Sequence, residues 1–211
     1  MDRTGIFTAA FDGAREAALE LRRGGSQVTI RAAESDVLCR AAFDGPAPKT
    51  WAEDGRVTIE YPRFSFAGLL RYPVRRAQIE LNAALPWSLA VAGGLADSIL
   101  DLGGLQLRVL ELEGGAANLR IVLPRPSGRV RVRIGGGASN LTLLRPAEVA
   151  AVLGIAGGAS RLAFDGERYG AIGGETRLET PNAGSDDDRY EIEIAGGASK
   201  LTVAESDGGR E

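Results

Sequence analysis

A short phrase built around a pair of glycines recurs along the chain, and it constrains the fold more than any other feature of the sequence. The last copy reads EIEIAGGASKLTV at 191–203, and two earlier copies read VRIGGGASNLTL at 132–143 and LGIAGGASRLAF at 153–164. The glycine pairs begin at Gly93, Gly114, Gly136, Gly157 and Gly196, so the steps between them are 21, 22, 21 and 39 residues. A nearly fixed period of this length is typical of a solenoid, and the long last step predicts a degraded copy at Gly173.

The residues around each glycine pair repeat as well. When the first glycine is numbered zero, apolar side chains fill positions −4 and −2 and, with Ser98 as the exception, positions +5 and +7. Each of these two sets alternates as in a half-buried strand, but the sets have opposite parity, which predicts a corner or bulge between +2 and +5. Each repeat is therefore predicted to be two short strands joined by a bend. Coils of about 21–22 residues are expected to pair in parallel ~4.8 Å apart.

A sixth copy lies far from the others. The segment ALELRRGGSQVTI at 18–30 aligns without gaps on 191–203, with Arg23 in the first-glycine column. The second glycine is present in all six copies, as Gly24, Gly94, Gly115, Gly137, Gly158 and Gly197. These glycines are expected to be structural, because glycine alone takes positive φ freely or lets backbones approach closely. The position of the first glycine is expected to need a small residue, because the interior is thin there. Gly197→Val is predicted to destabilise the fold by a few kcal/mol, through forbidden backbone angles or crowding.

The organisation of the chain follows from where the copies lie. Residues 87–205 are predicted to be the regular solenoid, and residues 1–86 an irregular β cap that contains the isolated copy and shields an open end. A boundary near Pro86 would still leave one continuous core, and residues 206–211 are expected to be a disordered tail. Helix content is expected to be very low, with 9–20 as the only competing stretch. Turn signals in the cap predict strands near 37–43, 57–61, 63–70 and 76–83.

Composition excludes several classes of function. The chain has no histidine, which removes the usual general base, most zinc sites and the nucleophile pairs that depend on imidazole. The net charge of −3, with both signs mixed, gives no reason to expect a nucleic-acid partner.

No apolar run approaches the ~20 residues of a membrane span, and the N-terminus is not of signal-peptide type. We therefore expect a cytoplasmic protein that reaches a membrane only through a partner. Cys39, in VLCRAAF, is predicted to be a buried strand cysteine.

Few residues in the sequence indicate a catalytic or ligand-binding site. The chain has no phosphate-binding GxxxxGK[ST] string, no GxGxxG after a strand and no acid-bearing calcium repeat, and no cofactor is expected. The acidic run 186–188 could touch a cation, although such a run is more typical of a solvated loop.

Glu111 is expected near Arg133 on the outer face. The small residues of column −1 form a flat stripe that could serve docking or self-association, or could lie under the cap. The basic segment 61–76 could meet an anionic surface, or could simply expose the arginines of cap strands; its arginines are Arg63, Arg71, Arg75 and Arg76.

The glycine-and-apolar pattern as a whole resembles a known family. The resemblance rests on LPWSLAVAGGLADSILDLGGL, on LRVLELEGGAANLRIVLPRPSGRVRVRIGGGASNLTLLRP, on DRYEIEIAGGASKLTV and on LELRRGGSQVTI near the start. These runs resemble the toast-rack domains of bacterial proteins, which are related to the C-terminal part of LiaF-type cell-envelope stress regulators. The resemblance implies a right-handed single-stranded β-helix without catalysis, linked to envelope stress sensing and often found beside membrane segments. It carries over no functional residues, because the matching positions are structural.

A complete set of repeats with no chemical constellation favours a non-enzymatic protein-interaction scaffold. Its expected partner is a membrane-bound or regulatory protein. Two alternatives remain open. A self-assembling structural β-solenoid of bactofilin type predicts filaments or large oligomers. A carbohydrate-binding or carbohydrate-cleaving β-helix predicts an aromatic-lined groove, although Phe164, Tyr169 and Tyr190 are the only aromatics after Trp87.

Overall fold

The computed structural model describes residues 5–45, 47–62, 75–184 and 187–206. Within these ranges the chain is all-β, as predicted, and no helix is present. The strands are β1 (Gly5–Ala9), β2 (Ala17–Arg22), β3 (Gly25–Ser26), β4 (Val28–Ala33), β5 (Cys39–Asp44), β6 (Lys49–Glu53), β7 (Arg56–Glu60), β8 (Arg76–Asn82), β9 (Pro86–Ala92), β10 (Leu95–Asp101), β11 (Gln106–Leu112), β12 (Ala116–Val122), β13 (Arg129–Ile134), β14 (Ala138–Arg145), β15 (Ala150–Ile155), β16 (Ala159–Phe164), β17 (Glu167–Ile172), β18 (Thr176–Glu179), β19 (Arg189–Ile194) and β20 (Ala198–Glu205).

The strands form two sheets. In the first, sheet A, the order is β1-β5-β8-β4-β10-β12-β14-β20-β16-β17, with the two-residue β3 beside β10. In the second, sheet B, the order is β18-β15-β19-β13-β11-β9-β2-β7-β6. Each glycine pair joins a strand of sheet B to a strand of sheet A, and neighbouring repeats pair in parallel in both sheets. The predicted parallel stacking is confirmed, and the right-handed winding implied by the family stays a prediction.

The register between coils matches the columns found in the sequence. Leu110 lies opposite Val132, and Val132 lies opposite Ile192 in sheet B. Leu119 lies opposite Leu141 in sheet A. All five side chains are at most 1% exposed. Apolar side chains of one column therefore pack on one another along the stack, in a core that no single repeat could form alone.

The reversal of side-chain parity occurs at position +4 of every copy. The residue there has a left-handed backbone, with φ between 49° and 58°, so the bend lies between +2 and +5 as predicted. The six residues at this position are Gln27, Asp97, Asn118, Asn140, Arg161 and Lys200. A left-handed residue costs ~1–2 kcal/mol, and Asn and Asp tolerate this conformation better than other non-glycine residues. Three copies therefore carry a suitable residue, and three carry a long side chain in a strained conformation.

The Asp and Asn side chains at this position form a ladder along the edge of the stack. Asn118 Nδ2 donates a hydrogen bond to Asp97 Oδ1 at 2.7 Å, and Asn140 Nδ2 donates one to Asn118 Oδ1 at 2.9 Å. In the next coil, Lys200 occupies the left-handed position beside Asn140.

We expect Lys200→Asn to raise the free energy of unfolding by ~0.5–1 kcal/mol, because asparagine relieves the left-handed strain and can extend the ladder. Thr202→Asn is the matched control, since Thr202 lies on the same strand with an ordinary extended backbone, where asparagine is disfavoured. Urea unfolding of both variants measures the difference. A Lys200→Asn protein no more stable than the parent would contradict this account of the ladder.

The coils do not stack in the order of the sequence. The final coil, made of β19 and β20, lies between the coil of β13 and β14 and the coil of β15 and β16. The first complete coil, made of β2 and β4, likewise lies between the coil of β7 and β8 and the coil of β9 and β10. The first and the last copies of the repeat therefore each contribute an interior layer of the stack.

The degraded copy predicted at Gly173 is wrong as a solenoid coil. The strand before this glycine, β17, pairs antiparallel with β16 in sheet A, and the strand after it, β18, pairs antiparallel with β15 in sheet B. The segment therefore runs in the opposite direction to the true copies and closes that end of the stack with two returning strands. At the other end β5 pairs antiparallel with β8 and β6 pairs antiparallel with β7, and β1 in turn pairs antiparallel with β5.

One hydrophobic core runs through the stack from Ala9 to Val203, and it continues across Pro86, where β9 begins. The division of the chain at Pro86 stays a prediction. Among the predicted cap strands, three correspond to β5, β7 and β8, whereas 63–70 lies outside the described residues. The stretch 9–20 contains the end of β1 and the start of β2 and no helix. The sequence did not predict β6, and the predicted tail lies outside the described residues after Ser206.

Candidate functional site

The glycine pairs lie where the backbones of successive coils approach one another most closely. A Cβ atom at Gly196 would lie 2.7 Å from the amide nitrogen of Gly137, and one at Gly136 would lie 2.7 Å from that of Gly115. A backbone nitrogen cannot rotate away as a side chain can, so these positions exclude every residue but glycine. The expectation that only a small residue fits at the first glycine position is confirmed, but the reason is different, because the obstacle is the backbone of the adjacent coil.

The second glycine is less restricted in the last coils than predicted. A Cβ at Gly137 would lie 3.1 Å from the carbonyl oxygen of Gly197, and one at Gly197 would lie 3.2 Å from that of Gly157. Neither residue has a positive φ, whereas Gly24 and Gly158 have φ of 65° and 77°. The prediction that Gly197→Val fails through forbidden backbone angles is therefore wrong, and crowding is the cost that remains. Gly94 and Gly115 are intermediate, with the nearest backbone oxygen at 2.9 Å.

Arg75, one of the four arginines considered for an anionic surface, is buried instead. Its side chain is 6% exposed, and its guanidinium donates to the carbonyl oxygens of Arg23 at 2.6 Å and Pro62 at 3.0 Å. It also lies over the ring of Tyr61, 5.2 Å from the centroid. Burial raises the pKa of Tyr61 to about 12 and lowers the pKa of Arg75. Arg75 therefore cannot meet an anionic surface, because carbonyl groups and an aromatic ring already surround it.

The remaining arginines of that segment do not form a described patch. Arg76 is exposed, forms an ion pair with Asp44 at 2.9 Å and hydrogen-bonds Gln27. A paired, exposed arginine offers little uncompensated charge to an anionic surface. Arg63 and Arg71 lie outside the described residues, so an anionic contact there stays a prediction.

The acidic run 186–188 is only partly described. Asp186 lies outside the described residues, and Asp187 and Asp188 are exposed. Asp188 Oδ1 accepts a hydrogen bond from the amide of Gly128 at 2.5 Å, which ties the start of β19 to the turn before β13. Among the described residues, no three acidic or cysteine side chains are placed to hold a metal ion. Cation binding by this run stays a prediction.

A buried arginine that the sequence did not reveal ties three coils together. The side chain of Arg145, at the end of β14, is 3% exposed and forms ion pairs with Asp165, just after β16, and with Glu205, at the end of β20. Glu205 also accepts a hydrogen bond from the amide of Glu148, and this bond, with the Arg145 pair, lowers the pKa of the Glu205 carboxyl. The cluster fixes the last strand between its two neighbours. Its members are 20 and 60 positions from Arg145 along the chain, so no local pattern could show it.

Cys39 is confirmed as a buried strand cysteine. It opens β5 and is 1% exposed. Burial, with a smaller contribution from Glu80, raises the pKa of its thiol to about 12. The thiol is therefore protonated at neutral pH and packs as a small hydrophobic group.

We expect the thiol of Cys39 to be inert in the folded protein. At roughly pH 8 a chromogenic thiol reagent should modify no cysteine in buffer and the single cysteine in denaturant, because both access and the thiolate are lacking in the native state. Rapid modification of the folded protein would contradict the burial of this residue.

The aromatic residues of the later coils do not line a groove. Phe164 is 4% exposed and Tyr190 is 0% exposed, and the hydroxyl of Tyr190 donates to the carbonyl of Pro124 at 2.7 Å. Tyr169 packs partly buried against the core. The three aromatics after Trp87 therefore support the core rather than present a surface on which sugar rings could stack.

The outer face of sheet B carries rows of alternating charge. Glu111, Arg133 and Glu193 lie opposite one another on β11, β13 and β19, and Arg131 lies opposite Glu191 in the next row. The expected proximity of Glu111 and Arg133 is confirmed. Arg131, Arg133 and Glu193 are exposed. A rigid sheet therefore presents charges of both signs at regular spacing, which is a surface that a complementary protein can recognise.

The small-residue stripe of column −1 lies on the same outer face. Ala156 and Ala195 are exposed, so at these two coils the stripe is open to solvent rather than covered by the cap. Its five members are Ala92, Glu113, Gly135, Ala156 and Ala195.

Comparison with known proteins gives a family match over about two thirds of the chain and a structural match over almost all of it. A family model described as the N-terminal domain of toast_rack, DUF2154, matches residues 3–144. The crystal structure of a "putative cell adhesion protein" from Clostridium sporogenes ATCC 15579 aligns with a TM-score of 0.79 and 19% identity, covering 98% of this chain and 100% of that chain. This likeness shows that the two proteins share a fold. By sequence, no curated protein matches the chain.

Two further crystal structures align with much lower similarity. A "putative adhesin" from Bacteroides fragilis NCTC 9343 has a TM-score of 0.34 and 8% identity over 96% of this chain and 97% of that chain. A "putative lipid binding protein" from Parabacteroides distasonis ATCC 8503 has a TM-score of 0.34 and 10% identity over 97% of this chain and 96% of that chain. These values are too low to support an argument about this chain. Among the described residues, no helix has the length and apolar character needed to cross a bilayer.

Proposed function

Because the chain belongs to the family of the toast_rack N-terminal domain, we propose that it is a non-enzymatic scaffold that binds a protein partner. The partner is a membrane-bound or regulatory protein of the bacterial cell envelope, and the complex serves the envelope stress response. The Clostridium sporogenes protein of the same fold is named for cell adhesion, which supports an interaction role.

The observation that carries this proposal is the charged outer face of sheet B. The three strands that carry these charges, β11, β13 and β19, are each held by parallel pairing on both sides and by the core beneath them. The charges at Arg131, Arg133 and Glu193 are therefore fixed relative to one another before any partner binds. Preorganised charges cost less entropy on association than charges on flexible loops, and arginine is enriched in protein interfaces.

Affinity purification from the native host tests this proposal. The tagged protein is isolated from the membrane and soluble fractions after mild cross-linking, and bound proteins are quantified by mass spectrometry. The double variant Arg131→Glu, Arg133→Glu is expected to reduce recovery of the partner ~10-fold or more, because it places like charges against the partner's acidic groups.

A matched variant controls for the change in net charge. Arg120 on β12 and Arg161 on β16 are exposed on sheet A, so the double variant Arg120→Glu, Arg161→Glu reverses two arginines away from the proposed surface. This variant is expected to retain the partner. Equal recovery with all variants would reject the charged face, and a catalytic turnover abolished by changing a pair of acids would reject the scaffold altogether.

A further inference from the structure

Among the strands that the structure describes, β6 is the last of sheet B and is paired on one side only. It pairs antiparallel with β7, and no other strand of the described chain pairs with it. Its residues read KTWAE, and four of the five are exposed. An exposed edge strand is a template for another strand, and proteins usually protect such edges with charges that repel a second copy.

The side chains of β6 alternate between its two faces. Lys49, Trp51 and Glu53 lie on one face, opposite Glu60, Thr58 and Arg56 of β7. Thr50 and Ala52 lie on the other face, opposite Ile59 and Val57, which belong to the core. The outer face of this edge therefore consists of a tryptophan between a base and an acid.

The charges of β6 are arranged symmetrically around Trp51. Lys49 precedes Trp51 by two positions and Glu53 follows it by two. When two such strands pair antiparallel about Trp51, Lys49 lies opposite the partner subunit's Glu53, and Glu53 lies opposite the partner subunit's Lys49. The usual charged protection of an edge is therefore inverted, because these charges attract a second copy.

We propose that β6 is a dimerisation edge, through which two copies of this chain join their B sheets across a twofold axis at Trp51. Backbone hydrogen bonds between the two β6 strands supply the pairing, and two Lys–Glu pairs fix the register. The two Trp51 rings meet at the centre as a cross-strand aromatic pair. This inference goes beyond the proposed function and does not depend on it, because a monomer could still bind a partner through Arg131 and Arg133.

The state of Trp51 supports this arrangement. The side chain is 38% exposed, which makes it one of three large exposed hydrophobic residues among those described. The guanidinium of Arg22 lies 5.5 Å from the centre of its ring. The ring is therefore ordered before association, and tryptophan and arginine are the residues most often found at the energetic centre of an interface.

The opposite end of sheet B provides a contrast within the same molecule. There β18 also carries a base and an acid, but Arg177 Nε donates to Glu179 Oε1 of its own strand at 2.8 Å. These two charges form an ion pair within one copy and leave little for a second copy to gain. Among the described residues neither Lys49 nor Glu53 forms an ion pair, although Glu60 and Arg56 lie opposite them on β7. We therefore expect a dimer joined through β6 and no filament joined through both ends.

Sedimentation equilibrium of the intact protein over a wide concentration series tests the proposal. The parent protein is expected to be in equilibrium between monomer and dimer. Lys49→Glu and Glu53→Lys are each expected to weaken dimerisation on the order of 30-fold or more, because each variant turns two attractive cross-strand pairs into two repulsive ones. An equimolar mixture of the two variants is expected to recover the dimer, since every pair across the axis is then attractive.

Two controls separate this interface from a general effect of net charge. Arg177→Glu changes a charge by the same amount at the other end of the sheet and is expected to leave dimerisation unchanged. The fluorescence of Trp51 should shift with concentration in the parent protein, while Trp87, which is 0% exposed, provides a constant background. Far-UV circular dichroism confirms that the variants fold. A parent protein that stays monomeric, a dimer that both single variants retain, a mixture that does not recover, or filaments would each overturn the proposal.

Discussion

Gly196→Ala is expected to lower the free energy of unfolding by ~3 kcal/mol or more, although it adds a single methyl group. The new carbon would lie 2.7 Å from the amide nitrogen of Gly137 and 2.8 Å from its Cα. Both atoms belong to the adjacent coil, which β12 holds in parallel pairing on its far side. That coil cannot retreat without breaking backbone hydrogen bonds. Urea denaturation of the variant measures the loss.

The adjacent glycine is the matched control for this variant. A Cβ at Gly197 would lie 3.2 Å from the carbonyl oxygen of Gly157, and its φ is not positive. Gly197→Ala is therefore expected to cost within ~1 kcal/mol, since both variants restrict the unfolded chain equally and differ only in the native contact. Equal losses at the two positions would show that the coils can separate at this corner.

Removal of the final coil, residues 189–211, is expected to abolish cooperative unfolding of the remaining chain. The coil is an interior layer, so the deletion strips the partner strands from β13 and β15 in sheet B and from β14 and β16 in sheet A. Five large buried side chains are lost with it: Tyr190, Ile192, Ile194, Leu201 and Val203. At ~1.5–3 kcal/mol for each buried side chain, their loss is comparable to the ~5–15 kcal/mol that stabilises a typical domain.

Addition of the missing segment as a peptide provides the control. A peptide of residues 189–206 should fill the gap that the deletion leaves between β13 and β15 and between β14 and β16. It should restore the cooperative transition, and the midpoint should rise with peptide concentration. A truncated chain that unfolds cooperatively at the midpoint of the parent would contradict the interior position of this coil. Denaturant titration followed by the fluorescence of the buried Trp87 measures both results.

The sequence correctly predicted which residues of each coil face the core, because burial imposes a strict local pattern on the apolar side chains. Leu110 and Val132 share a column in the sequence and lie opposite each other in the sheet. The same reasoning located the bend, since two strands with opposite parity require one residue that reverses the chain. Asn118 and Asn140 carry that reversal, and their left-handed backbone is the conformation that asparagine tolerates best among non-glycine residues.

The sequence was less informative about contacts between coils. It indicated that positive φ or close backbone packing requires glycine at the second position of each pair, because that glycine is the one kept in the copy at 18–30. In that copy the distances agree, since a Cβ at Gly24 would overlap the carbonyl oxygen of Gly94. In the coils of Gly136 and Gly196, the first glycine has the tighter contact with the backbone of another coil. The ion pairs of Arg145 and the burial of Arg75 depend on segments that are distant in the chain, so composition and spacing could not reveal them.

What the sequence determined by itself is the repeating unit: two short strands, a glycine corner, and one inward face that must be covered by another coil. Only the tertiary structure decided how the units are ordered, with the first and last repeat copies inserted between other coils and the segment around Gly173 turned back as a closing pair of strands. The physical reason is that the copies present nearly the same apolar columns and the same register. Val132 and Leu153 both lie opposite Ile192, so local pairing energy does not distinguish one neighbour from another. Unique contacts such as Arg145 with Glu205 and Tyr190 with Pro124 select the order.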